Sequence, residues 1–219
     1  MEPVKVVLIG EAGVGKTSII SRFTKDIFDK DQISSSSAQF ISKEIKVNNQ
    51  SINLDIWDTA GQEKYRSLAR MFYKESQVIV FVYEIINKKS FDALKNYWYK
   101  EALNNSTAQF YFVVGNKSDL YEREEVSDDE AKAFAKEING IFKLTSALSN
   151  IGIERLFQCI GKKIIDPNYC EEENGIISSN QIKTINNNNI KNLTQSYKLK
   201  YNGNEKNNGG KKKKKCCKN

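Results

Sequence analysis

Gly10-Glu11-Ala12-Gly13-Val14-Gly15-Lys16-Thr17 matches the pattern G-x-x-x-x-G-K-[ST] and decides how the rest of the chain is read. The apolar run Val4 to Ile9, broken only by Lys5, leads into it, and a helical stretch leads out. That setting gives the pattern its meaning: a strand, a glycine-rich turn and a helix N-terminus together wrap backbone N–H groups around a phosphate chain. Lys16 is then placed to reach the β- and γ-phosphates, and the Thr17 hydroxyl to ligate Mg²⁺. The loop implies a nucleoside triphosphate and leaves the base open.

Outward from the loop, short runs rich in Val, Ile and Phe recur at Val78–Tyr83, Phe110–Val114 and Ile141–Leu144. Such runs suit strands buried on both faces of a parallel sheet. Helical segments lie between them, the clearest at 151–164, where Leu156, Phe157, Ile160 and Ile164 share one face of a 3.6-residue period. Strand alternating with helix implies right-handed crossovers and a doubly wound α/β domain. One segment departs from this plan. Ile45 and Val47, then Ile52, Leu54 and Ile56, alternate with polar residues around Asn48-Asn49-Gln50-Ser51, which predicts an antiparallel hairpin beside the sheet. The expected architecture is therefore a mostly parallel six-stranded sheet with one antiparallel edge hairpin and helices on both faces.

The chain has 219 residues, enough for one compact domain and an appendage. Charge is unevenly shared. Residues 166–219 hold 11 Lys against 5 acids, leaving 23 Lys and Arg against 22 acids in residues 1–165. A near-neutral body with a cationic end lacks the basic folded face of a nucleic-acid-binding domain, so no nucleic-acid partner is expected. Residues 166–210 contain 12 Asn and no sustained periodicity. They are expected to form a disordered, Asn-rich tail after a folded domain spanning 1–165. The N-terminus lacks the features of a secretory signal, and no apolar run approaches the roughly 20 residues that span a bilayer. Cysteines stand at 159, 170, 216 and 217, a spacing that suggests neither a zinc site nor a disulfide framework.

The base is indicated by Asn116-Lys117-Ser118-Asp119, directly after the strand that ends at Gly115. A carboxylate accepts two hydrogen bonds side by side, matching the N1–H and N2–H₂ of guanine, and adenine offers no such pair. The position is the carboxyl edge, where ligands bind in open α/β sheets.

Asp58-Thr59-Ala60-Gly61-Gln62 and Thr145-Ser146-Ala147 complete the set. In order and spacing these motifs resemble the Ras superfamily of small GTPases across residues 4–165. Trp57 to Glu63 with Tyr65, Phe72-Tyr73 and Val82-Tyr83-Glu84 is similar to the Rab family in particular, and Tyr65 to Tyr73 to its endosomal branch.

The resemblance implies a GTPase that binds GTP and GDP with Mg²⁺ and acts as a switch in vesicle traffic. Gly10 to Thr17, with Ser18, hold the phosphates, and Lys16 and Gln62 serve catalysis, Gln62 by orienting the attacking water. Thr17, Ser35 and Asp58 attend the metal, Asp58 through a water. Thr59, Ala60 and Gly61 approach the γ-phosphate, with the Gly61 N–H meeting it. Phe28 packs against the base, Asn116 and Asp119 read it, Lys117 lies along it, and Ser146 and Ala147 close over O6. Residues 30–40 and 60–73 are expected to order or disorder with the γ-phosphate. Intrinsic turnover is expected near ~10⁻⁴ per second, with an activating protein supplying an arginine finger. Exchange, effector and GDP-dissociation-inhibitor proteins are the other implied partners.

Three departures from the family pattern stand out. Ala12 sets a methyl near the γ-phosphate, and Leu148 replaces a frequent Lys. Ser34 to Ser37 lacks the Thr and apolar anchor of related loops, so closure over GTP is expected to be less complete. At the other end, Lys211–Lys215 runs into Cys216-Cys217-Lys218-Asn219. The Cys pair resembles the Rab pattern in which both thiols receive geranylgeranyl groups. Two chains anchor stably, and each Lys adds about 1 kcal/mol against anionic lipid. The expected location is the cytoplasmic face of an intracellular membrane, with a cytosolic pool.

Overall fold

The computed structural model describes residues 2–30, 39–59 and 72–170. They form one six-stranded sheet in the order β2-β3-β1-β4-β5-β6. The strands are β1 (Val4–Ile9), β2 (Gln39–Val47), β3 (Gln50–Asp58), β4 (Val78–Glu84), β5 (Phe110–Asn116) and β6 (Ile141–Leu144). Every neighbouring pair is parallel except β2 with β3. The expected sheet, with its antiparallel pair at one edge, is the one observed.

The hairpin turn is tighter than the sequence suggested. Pairing runs to Val47↔Gln50, leaving only Asn48 and Asn49 in the turn. Both have positive φ, 49° and 62°. Two left-handed residues make a turn whose twist matches the flanking strands, and Asn tolerates that conformation better than most residues.

The helices are α1 (Lys16–Lys25), α2 (Lys88–Ala93), α3 (Tyr99–Asn105), α4 (Asp128–Glu137) and α5 (Ile153–Ile165). A π-helical segment, Leu94–Trp98, joins α2 to α3 without a break, and a 3₁₀ turn spans Ser118–Arg123. Ser127 caps α4 by accepting from the Glu130 N–H, and Asn87 caps α2 by accepting from Ser90. Helices α1 and α5 cover one face of the sheet, where Ile19, Ile20, Phe23, Leu156, Phe157 and Ile160 meet the inward residues of β1 and β3. The rings of Phe23 and Phe157 stack there at 3.6 Å. On the other face Phe91, Leu94, Trp98 and Phe134 pack against Val7, Ile79, Phe81 and Val113.

Alternate residues of β1 and β4 point to opposite layers, so nearly every residue of these strands enters a core. That is why their sequences read as apolar runs, broken in β1 only by Lys5. Beyond α5, Tyr169 packs against the α1/α5 layer. No helix among the described residues is long and apolar enough to cross a membrane.

Candidate functional site

β1 and β5 both end at the carboxyl edge of the sheet, which brings the glycine-rich loop beside Asn116–Asp119. A cleft of about 400 Å³ opens there. Its walls include Gly13, Gly15 and Ser18 from the loop and α1, Phe28 after α1, Asn116, Lys117 and Asp119 after β5, and Ala147 with Leu148 after β6.

The loop geometry depends on glycine at two positions. Gly15 has φ +94°, and a Cβ there would lie 2.3 Å from the Asn116 amide nitrogen. At Gly10 a Cβ would meet the Val82 carbonyl oxygen at 2.1 Å. The loop thus lies directly on its neighbours, which leaves its outer side open to a ligand. Gly13 illustrates that side, since a Cβ built on it meets nothing within 4 Å. Ala12 is exposed.

Lys16 is buried beneath the loop and donates to the carbonyls of Gly10 (2.9 Å) and Glu11 (2.8 Å). Burial lowers its pKa from 10.5 to about 8, although the Asp58 and Glu11 carboxylates pull it back up. At about 1.4 kcal/mol per pKa unit, the charged form carries a penalty of roughly 3 kcal/mol, which an incoming polyanion relieves. Beside it the Thr17 hydroxyl donates to the buried Asp58 carboxylate at 2.5 Å. A hydroxyl and a carboxylate are hard oxygen donors and suit Mg²⁺. Among the described residues no cluster of three or more His, Cys, Asp or Glu could hold a metal alone. Thr59 turns inward, its hydroxyl donating to the Leu8 carbonyl at 2.7 Å, and so ties the end of β3 to β1.

On the base side the residues divide into those that face the cleft and those that hold them. Asn116, expected to read the base, has both ends of its amide engaged within the protein. Its Nδ2 donates to the Val14 carbonyl at 2.8 Å, and its Oδ1 accepts from the Thr145 hydroxyl at 3.1 Å. Asp119 faces the cleft and accepts from the Ser146 hydroxyl. Ser146 is fully buried, and Ala147 lines the wall. Lys117 has left-handed backbone (φ 62°), and its ammonium pairs with the Glu84 carboxylate. Leu148 lines the cleft with 43% of its surface exposed.

Two residues that sequence reasoning passed over organise this site. Arg22 on α1 donates to the carbonyls of Ala147 (2.9 Å), Leu148 (3.4 Å) and Asp26 (2.9 Å), and lies 6.0 Å from the Phe28 ring. It joins the loop after β6 to the segment carrying Phe28. Trp98, in the π segment, donates its indole N–H to the Glu11 carboxylate at 2.9 Å. The bonds from Arg22 to Ala147 and Leu148, and from Trp98 to Glu11, have no local signal, because those partners lie far away in the chain. Ser34 to Ser37 (Ser35 included), Ala60, Gly61 and Gln62 lie outside the described residues, as do Lys211–Lys215, Cys216 and Cys217.

With this geometry in view, comparison with known proteins is informative. Residues 5–166 match the model of the Ras family. The chain is 40% identical over 162 residues to the Ras-related protein RabJ of Dictyostelium discoideum, covering 74% of this chain and 63% of that relative. It is 40% identical over 180 residues to Ras-related protein Rab-31 of Rattus norvegicus, covering 81% and 92%. With Ras-related protein Rab-21 of Homo sapiens the identity is 38% over 171 residues, covering 77% and 75%.

Proposed function

The chain belongs to the Ras family and is a small GTPase of the Rab kind, and from that premise we propose that it is a Mg²⁺-dependent GTP/GDP switch in vesicle or endosomal membrane traffic. The observation that carries the nucleotide reading is one cleft with a glycine-rich loop and buried Lys16 at one end, and Asp119 at the other.

In this reading the phosphates draw the Lys16 ammonium away from the Gly10 and Glu11 carbonyls, which regain their freedom as the loop N–H groups take up phosphate oxygens. Thr17 and Asp58, with Ser35, would hold Mg²⁺, which supplies charge neutralisation across the phosphates. Asp119 accepts from guanine, oriented by the Ser146 hydroxyl. Phe28 covers one side of the base, and the stem of Lys117 covers the other. Asn116 acts on the base indirectly, by holding the phosphate loop against the base loop. Gln62 orients the attacking water, and Ala60 and Gly61 bring N–H groups to the γ-phosphate. Because phosphoryl transfer rests on positioning and electrostatics, a partner's arginine completes the constellation.

At the other end of the chain, geranylgeranyl groups on Cys216 and Cys217, with Lys211–Lys215, would anchor the protein to the cytoplasmic face of a membrane. A GDP-dissociation inhibitor would maintain a cytosolic pool. Exchange, activating and effector proteins would then set and read the bound nucleotide.

The base assignment is tested by Asp119→Asn. The amide donates to xanthine's extra carbonyl and loses guanine's paired donors. The variant should favour xanthosine triphosphate over GTP, and unchanged GTP affinity would refute the assignment.

A further inference from the structure

A second cavity, of about 360 Å³, lies between α4, β6 and α5, and its lining includes Lys132, Lys136, Asn139, Phe142, Lys163 and Tyr169. It shares no lining residue with the nucleotide cleft. Ile141 and Phe142 open β6, so the cavity sits at the amino end of that strand, away from the carboxyl edge that bears the nucleotide site.

We propose that this cavity is an anion site that takes a phosphorylated headgroup, with Lys132, Lys136 and Lys163 as its cationic contacts. Lys132 and Lys136 are four residues apart on α4 and share a face, where like charges repel. Neither ammonium has an ion pair or hydrogen bond among the described residues. Three lysines elsewhere in this domain are paired: Lys88 and Lys95 both converge on Glu130, and Lys117 pairs with Glu84. The third cation, Lys163, spends one N–H on the Tyr169 carbonyl at 2.9 Å and keeps two. Lys162 adds charge at the rim, 5.5 Å from the Tyr169 ring. Among the described residues no carboxylate lines the cavity. The nearby Asp166 carboxylate accepts from the Asn168 N–H within its own turn.

Three lysines lining one cavity fit a phosphomonoester better than a carboxylate. The phosphate brings about −1.5 to −2 charges and three acceptor oxygens, and point-like lysine donors do not demand the planar partner that arginine does. The volume is at the small end of the range for ligand sites, which suits one sugar-sized polar group over the Phe142 and Tyr169 rings. Such chemistry comes from a phosphoinositide lipid or from a soluble inositol phosphate. Choosing the lipid rests on the anchoring reading given above, because a tethered tail brings the domain within reach of a bilayer; the site itself does not depend on that reading.

The experiment compares the full-length, unlipidated, GDP-loaded chain with its Lys132→Ala/Lys136→Ala variant. Both changes put a strong helix former on a solvated face. Vesicles of phosphatidylcholine carry either phosphatidylinositol bisphosphate or phosphatidylserine at matched charge, and inositol trisphosphate is titrated separately while amide NMR shifts are followed. The parent should prefer the phosphoinositide vesicles by roughly tenfold. The double variant should lose that preference while keeping its nucleotide affinity and its weaker, tail-driven binding to phosphatidylserine. Inositol trisphosphate should shift the amides of Asn139 and Gly140 in the parent alone. Those shifts without a vesicle preference would assign the site to the soluble phosphate. Equal partitioning of parent and variant, with no shifts at Asn139 or Gly140, overturns the proposal. A double variant that bound vesicles more weakly overall yet kept the parent's preference for phosphoinositide would overturn it too.

Discussion

The Trp98 indole N–H donates to the Glu11 carboxylate at 2.9 Å, tying the phosphate loop to the π segment between α2 and α3. Trp98 is fully buried, so the donor end of this part-buried bond is shielded from water. Trp98→Phe should cost about 1.5–3 kcal/mol, the range for a hydrogen bond to a charged partner. Glu11→Gln keeps an acceptor and should cost less. Urea unfolding of the three proteins checks the order, and a parent-like midpoint for Trp98→Phe would show the bond to be dispensable.

Gly15→Ala should abolish tight nucleotide binding. Its Cβ would fall 2.3 Å from the Asn116 amide nitrogen, on a backbone with φ +94°. Strain of about 1–3 kcal/mol from the backbone alone would be released by moving the loop. Measuring release of a fluorescent GDP gives the answer, and a parent-like dissociation rate counts against this account of the loop.

On the proposed reading, Gln62→Leu removes a water-orienting group and no phosphate contact. Turnover should fall by at least about tenfold while nucleotide affinity stays close to the parent's. Single-turnover hydrolysis with bound GTP measures the first, and equilibrium titration the second. An undiminished rate would take Gln62 out of the catalytic set.

Tyr83 is buried, and its hydroxyl has no hydrogen-bond partner among the described residues. Burial foremost, then the carboxylates of Asp128, Glu124 and Glu130, push its pKa well above 10.0. Above that pH the unfolded chain releases the phenolic proton while the folded chain keeps it. The folded state then binds more protons, so stability falls as pH rises. Tyr83→Phe should flatten the decline by about 1.4 kcal/mol per pH unit above roughly pH 10. Near neutrality it should cost little, because an unpaired hydroxyl is lost. Identical pH profiles would mean the phenol ionises in place.

Replacing Cys216 and Cys217 together with Ser should move the protein from membranes to the cytosol, and replacing either alone should give partial release. Cell fractionation reads the outcome. A double variant retained on membranes would point to a protein tether.

Much of this molecule could be read from sequence because its signals are local. β1, β4 and β5 appear as apolar runs since both faces are covered, and the hairpin appears as alternation since one face is wet. The glycine-rich loop declares itself because Gly10 and Gly15 have backbones pressed against neighbours that leave no room for a side chain. What sequence did not disclose is long-range. Arg22 looks like any basic residue near a helix end until the loop at Ala147 folds onto it. Trp98 looks like a core aromatic, and mostly is one, apart from its single polar atom. At Asn116 the motif does not disclose the tethering bonds, its amide joining Val14 and Thr145 across the site.

That last arrangement constrains the birth of the protein. The bond from Asn116 to Val14 joins residues 102 positions apart, and the one from Thr145 to Asn116 adds another 29. The phosphate loop leaves the ribosome early and must wait for its second wall. At synthesis rates of about 5–20 residues per second, the wait is roughly 5–20 s. Throughout it the loop lacks the bond that holds it to the base-side loop, so on the proposed reading GTP is captured tightly only once nearly the whole domain has been made. Loading is thereby a report of completion: a truncated nascent chain, however well its first strand and helix have formed, gives no active product.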